Sequence, residues 1–144
     1  MQVKRWAMVA AIGAVLVLSG CKQDKVEEKH HPAKLEESGQ EGIMKVTLEA
    51  RAAERIGIQT AAVLEEMVGS SKRLVVPYGA IMYDSKGATW TFTNPQPLVY
   101  VRHKIVVERV DGDRVILTEG PAAGTTVVTV GAAELMGAEH KYGH

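Results

Sequence analysis

Beyond Ile43 the chain alternates apolar and polar positions with a period of two, the signature of strands buried on one face. "IMKVTLE" places Met44, Val46 and Leu48 on one side and predicts a strand. "EARAAERIG" is rich in helix formers and stops at Gly57, which predicts a short helix with a glycine C-cap. "IQTAAVLEEMV" reads as the next strand and is broken at Gly69, Ser70 and Ser71. "KRLVVPYGAIMYD" follows, with Pro77 at a strand end or edge. "AIMYD" and "ATWTFTN" flank Ser85, Lys86 and Gly87, the pattern of a hairpin whose loop needs a glycine. "NPQP" reads as a turn. "LVYVRHKIVVERV" reads as one long alternating run, with Val99, Val101, His103, Ile105 and Val107 on a shared face. "DGD" at 111–113 turns the chain into "RVILTE", and "GPAAG" leads into "TTVVTVGAAELM". Strands about every ten residues predict a mainly β domain, a single small antiparallel barrel or sandwich with one short helix.

The first 42 residues have a different texture. Lys4 and Arg5 precede the uncharged run "WAMVAAIGAVLVL", residues 6–18. As a helix this run rises about 20 Å, too little for a hydrocarbon core of about 30 Å. A basic start, a short apolar run and small residues after it predict a secretory signal over residues 1–20. Then "KQDKVEEKHHPAKLEESGQEG" has ten Asp, Glu or Lys among residues 22–42 and no aromatic. Such a stretch buries too little apolar area to offset its ordering entropy, so residues 21–42 are expected to be a solvated tether, with at most a helical turn in "AKLEES". Residues 43–138 are the expected β-domain and 139–144 a histidine-bearing tail.

The single cysteine, Cys21, lies between these textures. "LSGC", residues 18–21, resembles the lipobox of bacterial lipoproteins, position by position. The resemblance implies cleavage before Cys21, a diacylglycerol thioether on its sulfur, and acylation of the new amine. Two or more acyl chains hold a protein firmly to a membrane. Lys22 stands where an aspartate would retain the protein in the inner membrane, which favours the outer membrane slightly.

Composition excludes several function classes. Seventeen basic and seventeen acidic residues leave no net field for nucleic acid. One cysteine excludes an internal disulfide and a cysteine zinc cage. No nucleophile elbow, P-loop or dinucleotide fingerprint is present, and no catalytic role is assigned. Imidazole and thioether groups suggest a metal site for Cu(I), Ag(I) or Zn(II). Its candidate ligands are His30 and His31 in the tether, and Met136, His140 and His144, one helical turn apart if the tail is helical. His103 is read as a packed or rim histidine. Tyr83, Trp90 and Phe92 form an aromatic cluster that is either core or, if exposed, a partner-docking patch.

The run from Val76 to Ala138 resembles the C-terminal part of periplasmic adaptor subunits, the membrane fusion proteins of resistance-nodulation-division efflux pumps, especially the heavy-metal type. The likeness rests on Val76-Pro77 followed by Ala80-Ile81, on Thr89-Trp90 with Phe92, and on "VERVDGDRVILTEGPAAGTTVVTVGA". "VTLEARAAERIGIQTAAV", residues 46–63, resembles the stretch that opens mature adaptors and supplies a strand to the same domain. The resemblance implies a membrane-proximal domain that docks on an inner-membrane pump. A full adaptor inserts lipoyl, hairpin and barrel domains between the two stretches, whereas here only Leu64–Val75 separates them. The resulting expectation is a non-enzymatic periplasmic lipoprotein, anchored through Cys21, that accompanies a pump or a full-length adaptor in transport, with heavy-metal cations as the candidate cargo. The alternatives are a metal-buffering lipoprotein using the tether and tail histidines, or a remnant adaptor without a transport role.

Overall fold

The computed structural model describes residues 31–142. The order of elements is β1 (Ala33–Glu37), β2 (Met44–Leu48), α1 (Ala50–Ile56), β3 (Gln59–Ala62), β4 (Leu64–Val68), β5 (Ser71–Pro77), a 3₁₀ turn (Tyr78–Ala80), β6 (Met82–Tyr83), β7 (Thr89–Gln96), β8 (Val99–Lys104), β9 (Val106–Asp111), β10 (Arg114–Glu119), β11 (Thr126–Val130) and α2 (Ala132–Tyr142). The described residues are mainly β, with two antiparallel sheets and two α-helices. One sheet runs β1-β2-β8-β7-β11-β3, with β6 also paired to β7, and the other runs β4-β5-β10-β9. Both are open, so the architecture is a pair of packed sheets and not a closed barrel.

The larger sheet is covered on both faces. Val127 and Val128 are adjacent on β11 and must point to opposite sides. Val128 joins Val46, Leu48, Phe92 and Tyr100 beneath Ala53 of α1 and Ala132 and Leu135 of α2. Val127 joins Val76, Val115 and Leu117 of the second sheet, together with Ala80. One core therefore lies under the helices and the other between the sheets. A strand buried on both faces loses the polar–apolar alternation that marks a half-buried one.

That double burial explains where the pattern misled. The expected single strand over residues 58–68 is two strands in different sheets, with the chain crossing at Val63. The long run over residues 98–110 divides in the same way at Ile105. Both pivots are 1% exposed and lie in the core between the sheets. Their backbone groups are paired across the gap: Val63 N donates to Thr125 O at 2.8 Å, and Ile105 N to Thr89 O at 3.0 Å. On β8 the buried residues are Tyr100 and Arg102, while Val99, Val101 and His103 are half-buried. The face expected to be core is the shallower one. "NPQP" also differs: β7 continues through Gln96, and the turn falls at Pro97 and Leu98. Leu98 takes φ 64, a left-handed conformation rare for a bulky residue.

The expected tether ends earlier than residue 42, and the expected tail does not separate at 139. Ala33–Glu37 is an edge strand in register with Met44–Leu48, not a helical turn, and Ala33 is buried. The alternation of Ala33 and Leu35 with Lys34 and Glu36 was obscured by the surrounding charge. The second helix carries the chain through Tyr142. It includes Gly137, where an added Cβ would meet nothing within 4 Å. Gly137→Ala is therefore expected to raise stability by about 0.5–1 kcal/mol, through reduced backbone freedom in the unfolded chain. An unchanged urea midpoint would contradict this.

Two hairpins follow expectation. Val68 pairs with Ser71 around Gly69 at φ 63, and Asp111 pairs with Arg114 around Gly112 at φ 65. Each two-residue loop places glycine where positive φ is required. Among the described residues no helix is long and apolar enough to cross a membrane.

Candidate functional site

The sequence candidates scatter on folding, and one groove regathers some of them. Its walls are Tyr83, Asp84 and Ser85 of the β6–β7 hairpin and Ala133, Met136, Gly137 and His140 of α2, around a volume of about 420 Å³. The spacing of the four helix residues, three and four apart, puts them on one face. The other face of α2 carries Ala132, Leu135 and Glu139, all buried.

The hairpin is held by Asp84. Its Oδ1 accepts the backbone N–H groups of Lys86 and Ala88 at 2.8 and 2.9 Å, and its Oδ2 accepts the Trp90 indole N–H at 3.0 Å. The Trp90 bond, helped by those backbone groups and the Arg102 charge, holds the Asp84 carboxyl below its ordinary pKa of 3.8 against the effect of partial burial. A depressed folded pKa means the contribution is complete above about pH 4 and is lost as pH falls through the lower folded value. Glu36, bonded by Lys45 and Lys34, is held down to about 2 and acts in the same direction. Asp84→Asn should therefore show a smaller loss of urea midpoint between about pH 6 and about pH 2 than the parent protein. Trp90 fluorescence reports the transition. Equal acid loss in both proteins would contradict the assignment.

Behind the groove lies a buried ionic network that the pattern of the sequence did not signal. The Arg102 guanidinium stacks on the Trp90 ring, 4.3 Å from its centroid. It also donates to Gly42 O at 3.1 Å and to Glu139 Oε1 at 3.2 Å. Glu139 Oε1 in turn accepts the Met44 N–H at 3.1 Å. Four separate segments are thereby joined: the hairpin, β8, the start of β2 and α2. Glu139 fell within the expected histidine-bearing tail, and the sequence singled out no role for Arg102. Nothing in their local sequence reveals that they meet.

The docking triad separates. Phe92 is fully buried under the helices and is core, which corrects its candidacy as a docking residue. Trp90 is half-buried and pinned between Asp84 and Arg102. Tyr83 is 58% exposed, and it pairs with Thr89 while Met82 pairs with Trp90. Tyr83 is therefore the one member of the triad available to a partner. Of the metal candidates, Met136 and His140 line the groove together. His31, ahead of β1, is not among its lining residues. Among the described residues no group of three or more His, Cys, Asp or Glu side chains is gathered. Cys21, His30 and His144, the signal segment and the lipobox lie outside the described residues.

A second surface lies on the smaller sheet. On it the exposed Leu64 sits beside Val75 and Ile116, both buried, across β4, β5 and β10. Ion pairs link Arg73 to Glu108 at 2.6 Å, and Arg114 to Glu66. Leu64, Val75 and Pro77 help line a shallow groove of about 390 Å³.

Set beside known proteins, the chain is similar to part of one solved structure. This is the NMR structure of a 180-residue portion of SilB from Cupriavidus metallidurans CH34, spanning its N-terminal metal-binding site and membrane-proximal domain. Identity is 23% and the TM-score 0.45, over 58% of this chain and 48% of that one. This chain thus spans about half the length of that structure. No family model and no curated protein sequence matches it.

Proposed function

We propose that this protein is a non-enzymatic lipoprotein of the bacterial cell envelope that faces the periplasm and acts as an accessory of an efflux assembly. It is built as an adaptor's membrane-proximal domain closed on itself. The observation that carries this reading is the interleaving of the two adaptor-like stretches. β2, which runs from Met44 into the stretch 46–63, and β3 within it pair with β8 and β11, from residues 76–138, as one domain assembled from two separated segments requires. Between them the chain is a β4–β5 hairpin with a two-residue turn at Gly69 and Ser70. This is the place where a full adaptor would insert its other domains. The protein would thus keep the pump-docking module and lack the parts that reach an outer-membrane channel. Its cargo class on this reading is a heavy-metal cation.

The anchor belongs to the same proposal. Acylation of Cys21 would hold the domain at a leaflet, with residues 22–32 as a leash, about 35 Å at full extension. The outer membrane is slightly favoured by Lys22. Photocrosslinking from Tyr83 in intact cells should capture a pump or a full-length adaptor. Recovery of no transporter component overturns the transport reading, and an unmodified Cys21 sulfur by mass spectrometry overturns the anchor.

A further inference from the structure

We propose that the groove between the β6–β7 hairpin and α2 takes a soft monovalent cation, Cu(I) or Ag(I), on the Met136 thioether and the His140 imidazole. The inference stands apart from the transport reading, because it rests on the donor atoms of this groove.

Three observations converge. First, α2 runs on through Gly137 to Tyr142, so Met136 and His140 lie one turn apart and line the same groove. In a disordered tail they would share no site. Second, His140 Nδ1 lies 2.9 Å from Met136 O. A carbonyl oxygen only accepts, so Nδ1 carries the proton and donates it. In the neutral ring the lone pair is then on Nε2, and the ring is oriented by the same kind of backbone bond that orients metal-binding histidines. Third, the one carboxylate of the groove is already engaged. Asp84 is the only carboxylate lining it, and both its oxygens are committed, to Lys86 N, Ala88 N and the Trp90 indole.

Beside the Tyr83 and Ser85 hydroxyls, the groove presents one thioether sulfur and one imidazole nitrogen. Thioether donors favour Cu(I) and its heavier congener. Zn(II) in a structural site wants four donors, usually thiolate, imidazole or carboxylate, and no cluster of three such residues is gathered here. The small residues Ala133 and Gly137 keep the approach open; at Gly137 the direction a Cβ would take is empty to 4 Å. Of the five residues expected from the sequence, Met136 and His140 line this groove, and the donor pair favours the soft cations over Zn(II).

The test uses the mature chain with Cys21→Ser, so that the thiol does not compete, titrated with Ag(I) and with Cu(I) under anaerobic conditions. NMR follows the Met136 methyl and the His140 ring protons. One equivalent of Ag(I) should shift both sets of signals. Met136→Leu, which conserves volume, and His140→Gln, at an exposed position, should each weaken binding about ten-fold or more. Zn(II) should leave the Met136 methyl unmoved. Equal affinity in the parent and the double variant overturns the proposal, as does Zn(II) competing with Ag(I) at equal concentration. A circular dichroism spectrum matching the parent establishes that each variant keeps its fold. Failure here leaves the crosslinking result untouched, so the two readings fall separately.

Discussion

Replacing Glu139 by alanine is expected to cost the fold about 3–5 kcal/mol, out of proportion to the removal of one carboxylate near a chain end. Glu139 is 4% exposed. Its removal strands the Arg102 charge in a site from which water is largely excluded, and it leaves the Met44 N–H without its acceptor. An uncompensated buried charge costs several kcal/mol, and an unpaired buried donor about 1–3 kcal/mol more. The cost comes from the orphaned partner, not from a large net attraction in the intact pair. Neutralising both ends should therefore be milder. Arg102→Met with Glu139→Gln leaves an amide oxygen for Met44 and no buried charge. This double variant is expected to be more stable than either Glu139→Ala or Arg102→Met alone. Urea unfolding ranks the three variants, and a double variant less stable than either single variant would sink the account. Among the described residues Arg102 Nε and Glu139 Oε2 have no hydrogen-bond partner, which is why the neutral pair should compete well.

Phe92→Ala is expected to cost about 3–5 kcal/mol, while Tyr83→Ala should stay within about 0.5 kcal/mol of the parent. The two residues were candidates for the same patch, and their environments are opposite. Phe92 is among the largest fully buried side chains, closed in by Val46, Tyr100, Val128 and Leu135. Its truncation would leave a cavity that strands on one side and helices on the other are poorly placed to fill. Tyr83 lies on the two-residue strand β6 with most of its surface in water. Its truncation should spare the urea midpoint and lower the yield of transporter co-purified from membranes, if the hairpin is where the partner sits. A Tyr83→Ala protein that unfolds with Phe92→Ala, or a Phe92→Ala protein as stable as the parent, would contradict this division.

The hairpins and the single buried pivots show what was legible and what was not. The turns at Gly69 and Gly112 were readable because a two-residue connection between strands needs positive φ, and glycine supplies it at no steric cost. The C-cap at Gly57, with φ 73 and its N–H bonded to Ala53 O, was readable for the same reason. Val63 and Ile105 were not. Each is an aliphatic residue inside an aliphatic run, and moving a strand from one sheet to another changes nothing in the local pattern. Ala33–Glu37 was hidden in the opposite way. Its apolar content is low, and it is a strand because β2 offers it an edge.

The groove divides along the same line. That Met136 and His140 could share a face was readable from their spacing, given a helix. That the helix forms through Gly137 depends on Leu135 and Ala132 packing beneath it and on Glu139 reaching Arg102.

By itself the amino-acid order determined the β character, the positions of the tight turns, the short first helix and the sharp change of texture at Cys21. These follow from backbone sterics and side-chain periodicity, which act within a few residues. Only the tertiary structure decided which sheet each strand joined, which face of β8 was the deeper, and that an arginine and a glutamate 37 residues apart would meet. Those outcomes come from desolvation and close packing between distant segments, and no local pattern of polar and apolar residues encodes which distant surface will exclude the water.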